Sequence, residues 1–133
     1  MSTLEVLTWI ALAVGAAASA AALWGYYGVL PGWLTGPEIC RLEHGGCAVL
    51  FRTSRAALLG VPNASLGIAL YALLAAGLAT AWPAWMLLLM VLPAVAMSAF
   101  LGWSLLSRNL QCRICWAGHF ANFALLLLLA VRA

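Results

Sequence analysis

Residues 56–107, AALLGVPNASLGIALYALLAAGLATAWPAWMLLLMVLPAVAMSAFLGWSLLS, run for 52 positions without one charged side chain. As a single helix this stretch would be about 78 Å long at 1.5 Å per residue, against about 30 Å of bilayer hydrocarbon. It is too long for one membrane span and long enough for two. The break falls at Trp82-Pro83. Proline is accommodated in the first turn of a helix and tryptophan favours the headgroup level, so Ala81-Trp82-Pro83-Ala84-Trp85 reads as a tight interfacial hairpin. Outward from this stretch, Val6–Leu30 is uncharged, and Ile114–Val131 is a further apolar run closed by Arg132. The expected fold is an all-α integral membrane protein: a four-transmembrane-helix bundle with spans near 5–28, 64–81, 84–107 and 112–131. A long cysteine-bearing loop, 31–63, joins the first two helices, and residues 1–133 read as a single membrane domain. Four spans put both termini on one side.

Composition agrees. The chain is 67% hydrophobic and 7% charged, where soluble domains run near half and a quarter. An ordinary soluble globule is excluded, and membrane lipid must be the solvent for most of the surface. A formal charge of +3, scattered along the chain, builds no phosphate-tracking groove, so nucleic acid is not a partner class that this sequence supports. Pro93 lies inside the third span, where it frees a carbonyl. Ala16-Ala17-Ala18-Ser19-Ala20-Ala21-Ala22 gives the first helix small side chains for close helix approach. A cleaved signal peptide is the rival reading of that helix, but it lacks a basic leader, and its removal would leave an odd number of spans.

The connection from Pro31 to Asn63 holds most of the charge: Glu38, Arg41, Glu43, Arg52 and Arg55, together with His44. At roughly 30 residues it is too long for a passive link in so small a protein, and is expected to pack over the bundle mouth and take part in function. Cys47–Leu59 reads as a helix lying in the interface, with Arg52 and Arg55 on its wet face, or the two arginines simply form a solvated basic patch beside anionic lipid.

Four cysteines fall in two pairs. Cys112-Arg113-Ile114-Cys115 opens the fourth span, where free N–H groups and the positive end of the helix dipole favour a thiolate. Cys40 and Cys47 lie in the polar loop, with Gly45-Gly46 between them allowing the chain to fold back. The four-span topology brings both pairs to one face. Three chemistries fit two cysteine pairs. A structural zinc site would need closer spacing in the first pair, and no metal ligand set is expected here. A soft-metal carrier suits paired thiols at a helix mouth, although the second span has no thiol or charge to continue a path. A dithiol–disulfide relay needs one wet pair and one pair at membrane depth, which is what the spacing supplies.

The order and spacing of Cys40…Cys47, then Gly60-Val61-Pro62-Asn63-Ala64-Ser65-Leu66-Gly67-Ile68-Ala69-Leu70-Tyr71, then Cys112-Arg113-Ile114-Cys115-Trp116-Ala117-Gly118-His119-Phe120-Ala121-Asn122, resemble the vitamin K epoxide reductase family over about residues 38–125. The resemblance implies a four-helix bundle around a quinone, of ubiquinone, menaquinone or vitamin K type, as electron acceptor. It implies that Cys115 faces the quinone with Cys112 as its disulfide partner, and that Cys40 and Cys47 shuttle electrons from a thioredoxin-like protein. Asn63 falls where the family places a side chain that hydrogen-bonds a quinone oxygen, and His119 where a second such group is found. The alternatives are a bond to neighbouring backbone for Asn63 and an interhelical hydrogen bond for His119. Where the family has a serine six residues after the second loop cysteine, this chain has Thr53, followed by Ser54, and either hydroxyl can serve.

Some members carry a fused thioredoxin-like domain. A chain ending at Ala133 leaves that partner on a separate chain. A quinone acceptor in a respiring membrane pulls toward disulfide formation, so the expected activity is oxidation of the partner's thiols in support of disulfide bond formation, with quinone or epoxide reduction in the vitamin K sense as the alternative. Orientation pulls two ways. Arg41, Arg52, Arg55, Arg108 and Arg113 lie on the cysteine face and only Arg132 opposite, which favours a cytoplasmic site in the cell membrane. The family and the persistence of disulfides favour an extracytoplasmic one.

Overall fold

The computed structural model describes residues 2–27, 63–107 and 113–133. They form four helices in chain order: α1 (Thr3–Tyr27), α2 (Asn63–Ala79), α3 (Ala84–Ser107) and α4 (Arg113–Arg132). The loop that carries Cys40, Cys47, Thr53 and Ser54, the interfacial helix expected over Cys47–Leu59, and Cys112 lie outside the described residues.

Helix α1 starts two residues before its expected boundary because Ser2 and Glu5 close a capping box. The Glu5 N–H donates to Ser2 Oγ and the Ser2 N–H to Glu5 Oε2, each at 3.2 Å. Helix α2 stops at Ala79, two residues short of the expected end. Its last turn closes in a paired C-terminal cap: the Trp82 N–H donates to the Gly77 carbonyl at 2.8 Å and the Ala81 N–H to the Leu78 carbonyl at 3.3 Å. Ala81 provides the required left-handed residue, with φ 57°. The expected hairpin at Trp82-Pro83 is therefore present, and the Pro83 carbonyl accepts the first bond of α3 from Met86 at 3.0 Å. Helix α3 runs unbroken through Pro93.

Helices α1, α3 and α4 are each long and apolar enough to cross a membrane, while α2 is a shorter apolar helix of 17 residues. Helix α1 packs along α2 and α4, and α3 packs along α4 and more lightly along α2. The bundle order is thus α2, α1, α4, α3, with α2 and α4 on a diagonal. The core comprises Ala11, Leu12, Tyr71, Leu74, Leu87, Val91, Leu125 and Leu129. Large apolar side chains such as Trp103, Leu89, Phe120, Leu127 and Val131 point outward, as expected where the surroundings are hydrocarbon. Buried Thr8 satisfies its hydroxyl by donating to the Leu4 carbonyl at 2.6 Å.

Candidate functional site

The helix mouth at which α2 and α4 begin is located by pairs of residues along the bundle. Gly77 meets Leu87 near the α2–α3 turn, and Gly102 faces Trp116 and His119 at the other end. Helices α2 and α3 are therefore antiparallel, as are α3 and α4, and α2 runs parallel to α4. Midway, Tyr71 of α2 donates its hydroxyl hydrogen to Asn122 Oδ1 of α4. From that level, Asn63 stands eight residues up α2 and Cys115 seven residues up α4, rises of about 12 and 10 Å. The structure brings Asn63 and Cys115 to the same depth at one end of the bundle.

Cys115 is half-buried in the first turn of α4, next to buried Ile114. Asn63 is the first residue of α2 and also half-buried. His119 follows Cys115 by one turn on the same helix and is only 8% exposed. Trp116 holds its ring edge-to-face at 5.9 Å and an interplanar angle of 89°, and itself stacks on Phe120 at 5.6 Å. Gly102 on α3 leaves room for both: a Cβ there would lie 3.7 Å from the Trp116 ring and 3.9 Å from His119 Cδ2. The His119 Nε2 is buried and makes no hydrogen bond. An unpaired nitrogen at membrane depth is costly, and a ligand oxygen is the partner that would relieve it. An interhelical hydrogen bond, the alternative left open for His119, is not formed by this nitrogen among the described residues.

Three further polar residues belong to the same interior. Besides the Tyr71 bond, Asn122 Nδ2 donates to Ser98 Oγ at 2.7 Å, so α2, α4 and α3 are tied by one buried chain. Sequence reasoning noted Tyr71 and Asn122 only as part of a motif and passed over Ser98. The signal was present: an amide in an apolar span demands a partner, the argument applied to Asn63.

No curated protein and no solved structure matches the chain. The profile of the Vitamin K epoxide reductase family matches residues 6–130. That span includes all four helices nearly end to end and all four cysteines. The chain belongs to the vitamin K epoxide reductase family.

Proposed function

We propose that this protein is a four-span membrane oxidoreductase that takes two electrons from a thioredoxin-like dithiol through Cys40 and Cys47, then Cys112 and Cys115, and delivers them to a membrane quinone. Family membership supports the general class, quinone-linked thiol oxidoreductase. The observation that carries the finer reading is the buried, unpartnered Nε2 of His119 one turn below the Cys115 thiol. Asn63, the first residue of α2, stands at the depth of Cys115 and is the second hydrogen-bonding group toward the quinone.

The relay balances in three exchanges. A partner thiolate attacks the Cys40–Cys47 disulfide, leaving the partner oxidised and the loop pair reduced. A loop thiolate attacks Cys112 of the Cys112–Cys115 disulfide; Cys115 leaves as a thiolate and the loop disulfide re-forms. Cys112 and Cys115 then close their own disulfide, releasing two electrons and two protons. A bound quinone supplies the sink for that pair of electrons and protons. Asn63 and His119 hold its oxygens and favour the negative charge that develops there. Trp116 fixes the His119 ring. Helix α2, at about 26 Å, spans with help from the turn residues Thr80–Pro83.

Replacing Cys115 with alanine removes one sulfur and leaves the packing of α4 in place. Purified Cys115→Ala protein is expected to lose quinone reduction driven by a dithiol partner while keeping its helical content. Retained quinone reduction would refute the assignment.

A further inference from the structure

The chain Tyr71–Asn122–Ser98 takes no part in the sulfur relay, yet it is the most demanding feature of the interior. Three hydrogen-bonding side chains sit at hydrocarbon depth, each at least nine-tenths buried. Tyr71 donates to Asn122 Oδ1, and Asn122 Nδ2 donates to Ser98 Oγ at 2.7 Å. The amide uses both of its ends, one toward each of two neighbouring helices. Helices α2 and α4 stand on the bundle diagonal and lack the extensive packing that α1 makes with each of them. A side-chain tie is what spans the gap between them.

Those two helices also carry the two groups assigned to the quinone oxygens. Asn63 lies eight residues before Tyr71 on α2, and His119 three residues before Asn122 on α4. Ser98 lies one turn from Gly102, the residue that faces His119 and Trp116. We propose that Tyr71, Asn122 and Ser98 are positioning residues for the quinone headgroup: their hydrogen-bond chain fixes the spacing and rotation of α2 against α4, and with them the span between Asn63 and His119. A rigid ring with oxygens on opposite sides tolerates little change in that span. The proposal rests on the quinone reading above and deepens it.

Full-length protein reduced with dithiothreitol and assayed with a short-chain ubiquinone in detergent tests it. Tyr71→Phe removes one hydroxyl, and Asn122→Leu removes the amide at similar volume. Each is expected to raise KM for the quinone about fivefold to tenfold, the effect of losing a buried hydrogen bond, with kcat within about twofold. Asn122→Asp is expected to restore a KM close to the parent's, because a neutral carboxyl offers one acceptor for Tyr71 and one donor for Ser98. An unchanged KM with a lowered melting temperature, or an Asn122→Asp protein as impaired as Asn122→Leu, would show a purely structural tie and overturn the proposal.

A second measurement needs no quinone. Spin labels at Ala69→Cys and Phe123→Cys, both on exposed positions, report the α2–α4 distance in protein whose four native cysteines are serine. Tyr71→Phe is expected to shift or broaden that distance, and an unchanged distribution overturns the proposal. Parent protein that turns over no quinone while the distance responds would instead refute the functional reading, and the positioning role with it.

Discussion

The ring of Tyr71 lies directly against the backbone of Gly15: a Cβ placed on Gly15 would come within 2.6 Å of Tyr71 Cζ and 2.8 Å of its hydroxyl oxygen. The tyrosine that ties α2 to α4 therefore occupies space that only a glycine on α1 leaves open. The same aromatic side chain meets three other helices, one by contact, one by a direct hydrogen bond and α3 through Asn122.

That contact predicts a contrast between two glycines. Gly15→Ala must push α1 away or break the Tyr71 hydrogen bond, and should cost about 1–3 kcal/mol as an overpacking change. Gly118→Ala meets only the Ala18 Cβ, at 3.7 Å, an ordinary contact. It should leave the melting temperature in detergent unchanged or slightly raised. Equal losses for both variants would contradict the packing described here.

At the α2–α3 turn the strain is in the backbone. Ala81 holds φ at 57°, a left-handed conformation that disfavours a residue with a Cβ by about 1 kcal/mol. Ala81→Gly should therefore stabilise the protein by about 0.5–1 kcal/mol without touching the site. Denaturant titration followed by circular dichroism is the check, and a destabilised variant would mean that the cap is not formed as seen.

Core truncation should cost less than in a soluble domain. Leu125 is 1% exposed within the bundle core. In lipid the transfer of apolar surface from water does not contribute, so Leu125→Ala loses packing contacts alone. About 1–2 kcal/mol is expected, at or below the low end of the soluble range. Thermal unfolding of the two proteins in the same micelle measures the difference.

The helix count and the hairpin were legible from 52 uncharged residues broken by Trp82-Pro83. The end of α2 was not, because its left-handed cap residue is an alanine where sequence cues look for glycine. Nor was it visible which faces meet. The helices are apolar nearly all round, so the 3.6-residue periodicity that separates core from solvent in a soluble helix carries little information when lipid is the solvent. Leu74 and Leu73 read alike, yet one is buried and the other exposed. At the site, the depth shared by Asn63 and Cys115 and the burial of His119 follow from how α2 and α4 pack, which the one-dimensional pattern does not state. The Tyr71–Asn122–Ser98 chain became apparent only when three helices were seen together, since no sequence separation announces a partner 24 or 51 residues away.

His119 offers the most specific test of the binding mode. His119→Leu keeps the volume and apolar contacts with Trp116 but removes the buried nitrogen, so quinone KM should rise about tenfold while reaction of the cysteines with a small soluble oxidant is unchanged. A loss of both reactions would point to disturbed packing of α4 in place of a lost ligand contact.

Exchange of two electrons between a quinone and the pair formed by Cys115 and its partner sulfur can be followed by anaerobic mixing. Fully reduced protein is combined with ubiquinone or menaquinone, free thiols are counted, and the ultraviolet spectrum is followed. The exchange requires the loss of two thiols for each quinol formed, with Cys115→Ala protein inert. Quinone that stays oxidised beside an unchanged thiol count, or quinol formed equally by Cys115→Ala protein, would contradict it.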